Sequence, residues 1–167
     1  MEQEWMPFII SIKTALTATM ITFFLGIFAA NKINKINPKH KGILDSLFTL
    51  PMVLPPTVIG FFLLVILGRN GFIGKLLYSI GINVIFSWGA TVIAAVVVSF
   101  PLMYSTAKGA FEQIDKNILN AAQTMGVSNF KIFWKIMIPL AWPGIAAGTI
   151  LSFARALGEF GATLMIA

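Results

Sequence analysis

Apolar runs of about twenty residues alternate with short polar stretches along this chain. The runs fall at residues 8–30, 46–68, 84–107 and 136–154. At about 1.5 Å of helical rise per residue, runs of this length can cross a hydrocarbon core of roughly 30 Å. The pattern therefore predicts four membrane-spanning helices. The first, Phe8 to Ala30, carries Lys13 near enough to one end for its ammonium to snorkel. The second is interrupted by Pro51, Pro55 and Pro56, so its first half is not expected to be regular helix. Irregular backbone at that depth is tolerated where it is buried in protein or lines a wet cavity. A packing kink and a path-lining break both remain open. The third run has Pro101 near its end, and the fourth is entered through Pro139 and Pro143. Along the fourth, Gly144, Gly148, Ser152 and Ala156 recur every fourth residue, a small-residue ridge that lets another helix approach closely. That neighbour belongs either to the same subunit or to a second copy.

The polar stretches add direction. Residues 31–45 hold Lys32, Lys35, Lys39 and Lys41, and residues 108–135 hold Lys108, Lys116, Lys131 and Lys135, together eight of the twelve basic residues. The stretch 69–83 has only Arg69 and Lys75, and the first seven residues have none. By the positive-inside rule, 31–45 and 108–135 are expected in the cytoplasm and the N-terminus outside. Phe72-Ile73 and Leu76-Leu77 suggest a short interfacial helix in the 69–83 stretch. The acidic start, with Glu2 and Glu4, lacks the basic leader and cleavage site of a signal peptide. The chain stops in an apolar run, Leu164 to Ala167, and the expectation is a C-terminally truncated product.

Composition agrees with a polytopic all-α integral membrane protein. The 167 residues are 57% hydrophobic and 11% charged, against roughly 25% charged for a soluble domain. The absence of cysteine excludes disulfides, thiolate metal sites and thiol nucleophiles. His40 is the one histidine and lies among lysines, so no metal site is expected. The net charge of +6 sits between apolar runs rather than on one soluble face, which argues against nucleic acid. Ser105 to Lys108 has the Ser-x-x-Lys spacing of penicillin-binding enzymes without their companion motifs, and Lys108 fits a membrane-edge anchor. Gly68 to Gly74 lacks the Lys-Ser/Thr of a phosphate loop. No enzyme chemistry and no cofactor are expected in this chain.

Two motifs remain. In the first, Asp115 or Asn117 can cap a short helix with apolar residues Ile118, Leu119, Ala122 and Met125 at helical spacing. Gly126 stands where that helix would stop, suited to a left-handed C′ position, with Val127 folding back as the apolar contact. Ser128 is a natural N-cap for a second helix through Lys131, Trp134 and Lys135. The unit is helix, glycine turn, helix, feeding into the fourth span. It resembles the "EAA" loop of ABC importer permeases: Glu-Ala-Ala, three residues, Gly, nine residues, Ile-x-Leu-Pro. Ala121, Ala122, Gly126, Ile136 and Pro139 fall on that spacing. Asn120 replaces the usual Glu, losing its charge, and Ile138 replaces Leu. The resemblance implies a cytoplasmic coupling loop, residues 112–135, that inserts into a groove of a separate ATPase subunit.

The second motif runs Arg155-Ala156-Leu157-Gly158-Glu159-Phe160-Gly161-Ala162-Thr163. Arg155 and Glu159 are spaced to pair across one helical turn in an apolar setting. Gly158 and Gly161 allow a bend and close backbone approach. The run is similar to one that follows the coupling loop in molybdate, tungstate and sulfate permeases, and the short N-terminal arm looks more like the molybdate type. The resemblance implies a helical bundle of the binding-protein-dependent ABC importer permease type. It further implies two permease copies, a homodimer, with two ATPase subunits and an extracytoplasmic binding protein. Arg155, Gly158, Glu159, Gly161 and Thr163 become candidates for the translocation path or gate; a purely structural clamp is the alternative. Sulfate, thiosulfate or tungstate transport stays open within the class. Outside it, a passive channel or scaffold with no ATPase remains.

Overall fold

The computed structural model describes residues 2–34, 36–81, 84–159 and 161–166. Lys35, Phe160 and Ala167, named in the motifs and runs above, lie outside the described residues. Among those described there are helices and turns and no strand. Helix α1 runs Glu2–Ile33, α2 Pro38–Val53, α3 Pro56–Leu67, α4 Phe72–Ser79 and α5 Trp88–Glu112. Then come α6 Lys116–Thr124, α7 Asn129–Ile132, a π-helical turn Phe133–Met137, α8 Ile138–Leu157 and the short α9 Thr163–Ile166. Three helical stretches are long and apolar enough to cross a membrane: Trp5–Ile33, Trp88–Glu112 and the continuous course Asn129–Leu157. The pair α2 and α3 passes the same test together but is bent by 113° at its break.

Helices α1, α5 and α8 form the core, and small residues set their spacing. A methyl group on Gly26 of α1 would lie 2.6 Å from the Met103 side chain of α5. One on Gly148 of α8 would lie 2.0 Å from Thr106 Oγ1, and one on Gly144 would lie 2.6 Å from Ala110 Cβ. Ser152 is fully buried and its hydroxyl donates to the Ser99 carbonyl at 3.3 Å. Ala156 packs with Ala15, Ala18 and Ala95. The ridge of α8 is thus filled by α5 and α1 of the same chain. Close backbone approach is what drives such packing where lipid is as apolar as leucine.

The segment before and within the second apolar run departs from expectation. Residues 38–45, expected as loop, are the first half of α2. The helix begins at Pro38, with the Asn37 side chain accepting from the Lys39 N–H at 3.5 Å. Pro at the first helical position and Asn before it are a strong start signal. The first half of the 46–68 run is interrupted as expected, but not at Pro51, through which α2 continues helically to Val53. A single proline removes one donor, which this helix absorbs. The break comes at Leu54 and Pro55, both extended with ψ near 140° (142° and 139°). Each precedes a proline, whose ring drives the residue before it out of the helical region.

The other irregular site is at the start of α8. The π-helical turn ends at Met137, two residues before Pro139. In a regular helix the Pro139 ring would collide with the carbonyl four residues earlier, that of Lys135. The wider turn relieves this and lets the backbone run unbroken from α7 into α8.

Candidate functional site

The helix–glycine–helix unit is built by local rules. The Asp115 carboxylate accepts from the Asn117 N–H at 2.8 Å and caps α6. At the other end Gly126 has φ of +77°. Its N–H donates to the Gln123 carbonyl at 2.9 Å, and the Val127 N–H donates to the Ala122 carbonyl at 3.1 Å. These two bonds form a Schellman motif. Val127 then packs into the main core, with Leu119 and Ala122. Ser128 precedes α7 in an extended conformation but makes no side-chain capping bond; its carbonyl accepts from the Ile132 N–H at 3.0 Å. The Gln123 amide reaches Asn129 Oδ1 at 3.3 Å and ties the two helices together.

The apolar residues of α6 and the turn after it do not share one face. Leu119 and Ala122 point inward, whereas Ile118 and Met125 are exposed, Met125 to 83%. Phe130 of α7 is exposed to 74%. Asn120 and Ala121 are exposed too, and Thr124 Oγ1 donates back to the Asn120 carbonyl at 2.7 Å. Of the other named positions, Ile136 packs against the core and Pro139 is exposed. The unit therefore presents the bare apolar side chains of Met125 and Phe130 beside exposed Asn120, Lys116 and Lys131.

The second motif lies at the far end of α8. Arg155 Nη1 is 2.8 Å from Glu159 Oε2. Glu159 Oε2 makes no hydrogen bond despite that distance, so the contact is misaligned and held by charge. Glu159 Oε1 accepts from the Ala162 N–H at 2.6 Å. The two side chains differ sharply in burial: 1% of Glu159 is exposed against 31% of Arg155. Gly158 ends α8 with its N–H on the Ala154 carbonyl at 3.2 Å, and Thr163 opens α9. Gly161 packs on Pro56, where an added Cβ would lie 2.8 Å from the proline ring. On α3 a Cβ on Gly60 would lie 2.7 Å from the Ala162 carbonyl oxygen. The glycine-rich segment thus packs closely on α3, Gly161 against the Pro56 ring and the Ala162 main chain against Gly60.

A third group of residues was not singled out in the sequence. Asp45 of α2 accepts from Tyr104 and from Lys108 of α5, the latter at 2.5 Å. Lys41 bonds Glu112 at 2.7 Å and Asn34 Oδ1 at 3.2 Å. Phe100 stacks on Tyr104 and Phe48 meets both rings edge-on, with centroids 5.2–5.9 Å apart. Lys108 is therefore a partner in a part-buried network and not only an anchor. Lys13, in turn, sits over the Trp88 ring at 4.8 Å, and the indole N–H donates to Thr14 at 2.9 Å. Among the described residues no cluster of acidic, histidine or cysteine side chains could hold a metal.

Helices able to span a membrane around a close-packed core, carrying an exposed helix–glycine–helix unit at one end and a charge pair at the other, define a polytopic α-helical membrane protein. The chain belongs to the family of binding-protein-dependent transport system inner membrane components, whose model matches residues 22–167. It is 44% identical over 164 residues to the molybdenum transport system permease protein ModB of Escherichia coli K12, covering 98% of this chain and 72% of that protein. It is 48% identical over 162 residues to the Bacillus subtilis protein YvgM, also named for molybdenum transport, covering 96% and 71%. A Chlorokybus atmophyticus protein named for sulfate transport, cysT, is 35% identical over 160 residues, covering 96% of this chain and 56% of that protein. The chain is thus a permease component of a binding-protein-dependent transporter and is related to both molybdenum and sulfate permeases.

Proposed function

We propose that this chain forms the translocation path of an ABC importer for molybdate or a similar tetrahedral oxyanion. Two copies pair as a homodimer, two ATPase subunits bind the cytoplasmic side, and an extracytoplasmic binding protein delivers the ion. The exposed helix–glycine–helix unit, Asn120 to Pro139, docks into the ATPase and passes its closure to the spans. The observation that carries this reading is that unit's geometry: a stiff Schellman turn displaying Met125 and Phe130 and continuous with a spanning helix. Likeness to the molybdenum permeases over nearly the whole chain supports the choice of ion. The lysine asymmetry supports an external N-terminus and cytoplasmic 31–45 and 108–135 segments. Arg155, with Gly158, Glu159, Gly161 and Thr163 around it, stands beside the path, where a part-exposed guanidinium can meet a passing oxyanion.

The test is reconstitution in proteoliposomes with the ATPase and the binding protein. ATP hydrolysis and uptake are expected to rise with molybdate and tungstate and to stay basal with sulfate and phosphate. Stimulation by sulfate alone would move the chain to the sulfate reading, which likeness to the sulfate permease also supports. Purification without any ATPase subunit, and uptake independent of ATP, would make it a channel.

A further inference from the structure

Beside the core, α1 and the course from the π-helical turn into α8 enclose a groove of about 390 Å³ whose lining is entirely apolar. Phe24 and Phe28 form one wall, and Trp134, Ile138 and Trp142 form the other, with Phe133 at its base. Phe24, Phe28, Trp134 and Trp142 are each more than half exposed, so the groove opens outward. Both walls repeat every fourth residue, which makes a slot that runs along the spanning helices.

One end of the slot is basic. On α1 the 24, 28 series continues to Lys32, whose ammonium lies over the Phe28 ring at 4.9 Å from the centroid. On the other wall Lys131 and Lys135 flank Trp134, and all three lysines are exposed. Trp134 beside lysines marks the level of the headgroups, and Trp142 lies about 12 Å deeper along the helix. We infer that this slot is a binding site for an anionic phospholipid, its acyl chain lying along Phe24, Phe28, Ile138 and Trp142 and its phosphate held by Lys32, Lys131 and Lys135. The slot has no polar atom to recognise a protein side chain, while its basic end complements a phosphate at the depth where a phosphate resides. The bound chain braces Phe133 and Trp134 in the turn that carries the docking unit. None of this depends on which solute is carried.

The four tryptophans of the chain make the site measurable. Trp5 and Trp88 stand at the N-terminal ends of α1 and α5, and replacing them with Phe leaves Trp134 and Trp142 as reporters within the chain. The purified protein, with the subunits that accompany it, is reconstituted in phosphatidylcholine vesicles. Its fluorescence is then titrated with dibrominated phosphatidylglycerol or dibrominated phosphatidylcholine. Phosphatidylglycerol should quench at a share of the lipid at least about fivefold lower, the effect of even one engaged lysine. Changing Lys32, Lys131 and Lys135 together to Gln should bring the ratio to about one. If Trp88→Phe lowers the yield, counting retained phosphatidylglycerol by native mass spectrometry in the wild-type chain and the triple variant gives the same comparison. Equal quenching by both lipids would mean bulk lipid only. Absence of quenching by either would mean that protein, such as a second copy, covers the slot. A preference that survives the triple change would remove the lysines. Any of these results overturns the proposal.

Discussion

Arg155 and Glu159 show how unequal burial makes two partners of one pair unequal. Breaking a fully buried pair by removing one charge typically costs about 3–5 kcal/mol, because the survivor is left uncompensated. Here the survivors differ. Without Arg155, the Glu159 carboxylate stays almost wholly buried, with only the Ala162 N–H to satisfy it. Without Glu159, the guanidinium still reaches its surroundings. Arg155→Gln is therefore expected to lower thermal stability in detergent more than Glu159→Gln, and the double change less than Arg155→Gln alone. If Arg155 also meets the oxyanion, the double variant will fold and assemble yet transport poorly. Equal, small effects of both single changes would show that the pair contributes little.

At the level of elements, the helix–glycine–helix unit proposed to dock rests on one backbone angle. No heavy atom lies within 4 Å of a Cβ built on Gly126, so a side chain there would meet no clash, only the left-handed conformation itself. That conformation costs an L-residue about 1–2 kcal/mol, and a β-branched side chain tolerates it least. Gly126→Val should accordingly insert in the membrane at wild-type levels but lose most of its ATP-dependent uptake. Uptake and ATPase copurification at wild-type levels would remove the docking role. This unit was legible in the sequence because its determinants are local: Asp115, Gly126 and Val127 lie within a few residues of the groups they serve, although Ser128, expected as an N-cap, makes no side-chain capping bond. The sorting of Ile118 and Met125 outward from Leu119 and Ala122 was not, since helical spacing alone does not say which side meets the core. The interruption of the second run was legible in its prolines, but their unequal weight was not. Pro51 is absorbed by a helix, and only the consecutive pair Pro55-Pro56 forces two extended residues. The Asp45–Lys108 contact joins residues 63 apart, a separation no periodicity registers.

For the whole molecule, the lysine asymmetry gives an orientation that can be measured directly. The chain has no cysteine, so introduced thiols report without background. Lys39, Asn70 and Lys116 are all exposed and therefore suited to labelling. With membrane-impermeant reagents on intact cells, Cys at position 70 should react and Cys at 39 or 116 should not. Labelling at 116 but not at 70 would invert the orientation.

The contact between Gly60 and Ala162, and between Gly161 and Pro56, has a mechanical consequence. Gly60 rests on the Ala162 main chain and Gly161 on the rigid Pro56 ring, so little between them can absorb a displacement. A single main-chain bond, from the Phe86 N–H to the Ile166 carbonyl at 2.9 Å, links the same segment to the residues before α5. Helix α3 and residues 161–166 consequently behave as one rigid lever. Glu159, tethered to that lever through the Ala162 N–H, has to follow it. Any swing of α3 about the Leu54–Pro55 corner therefore drags the carboxylate along and alters its grip on Arg155, so that the shape of the backbone sets how much positive charge the guanidinium shows to its surroundings.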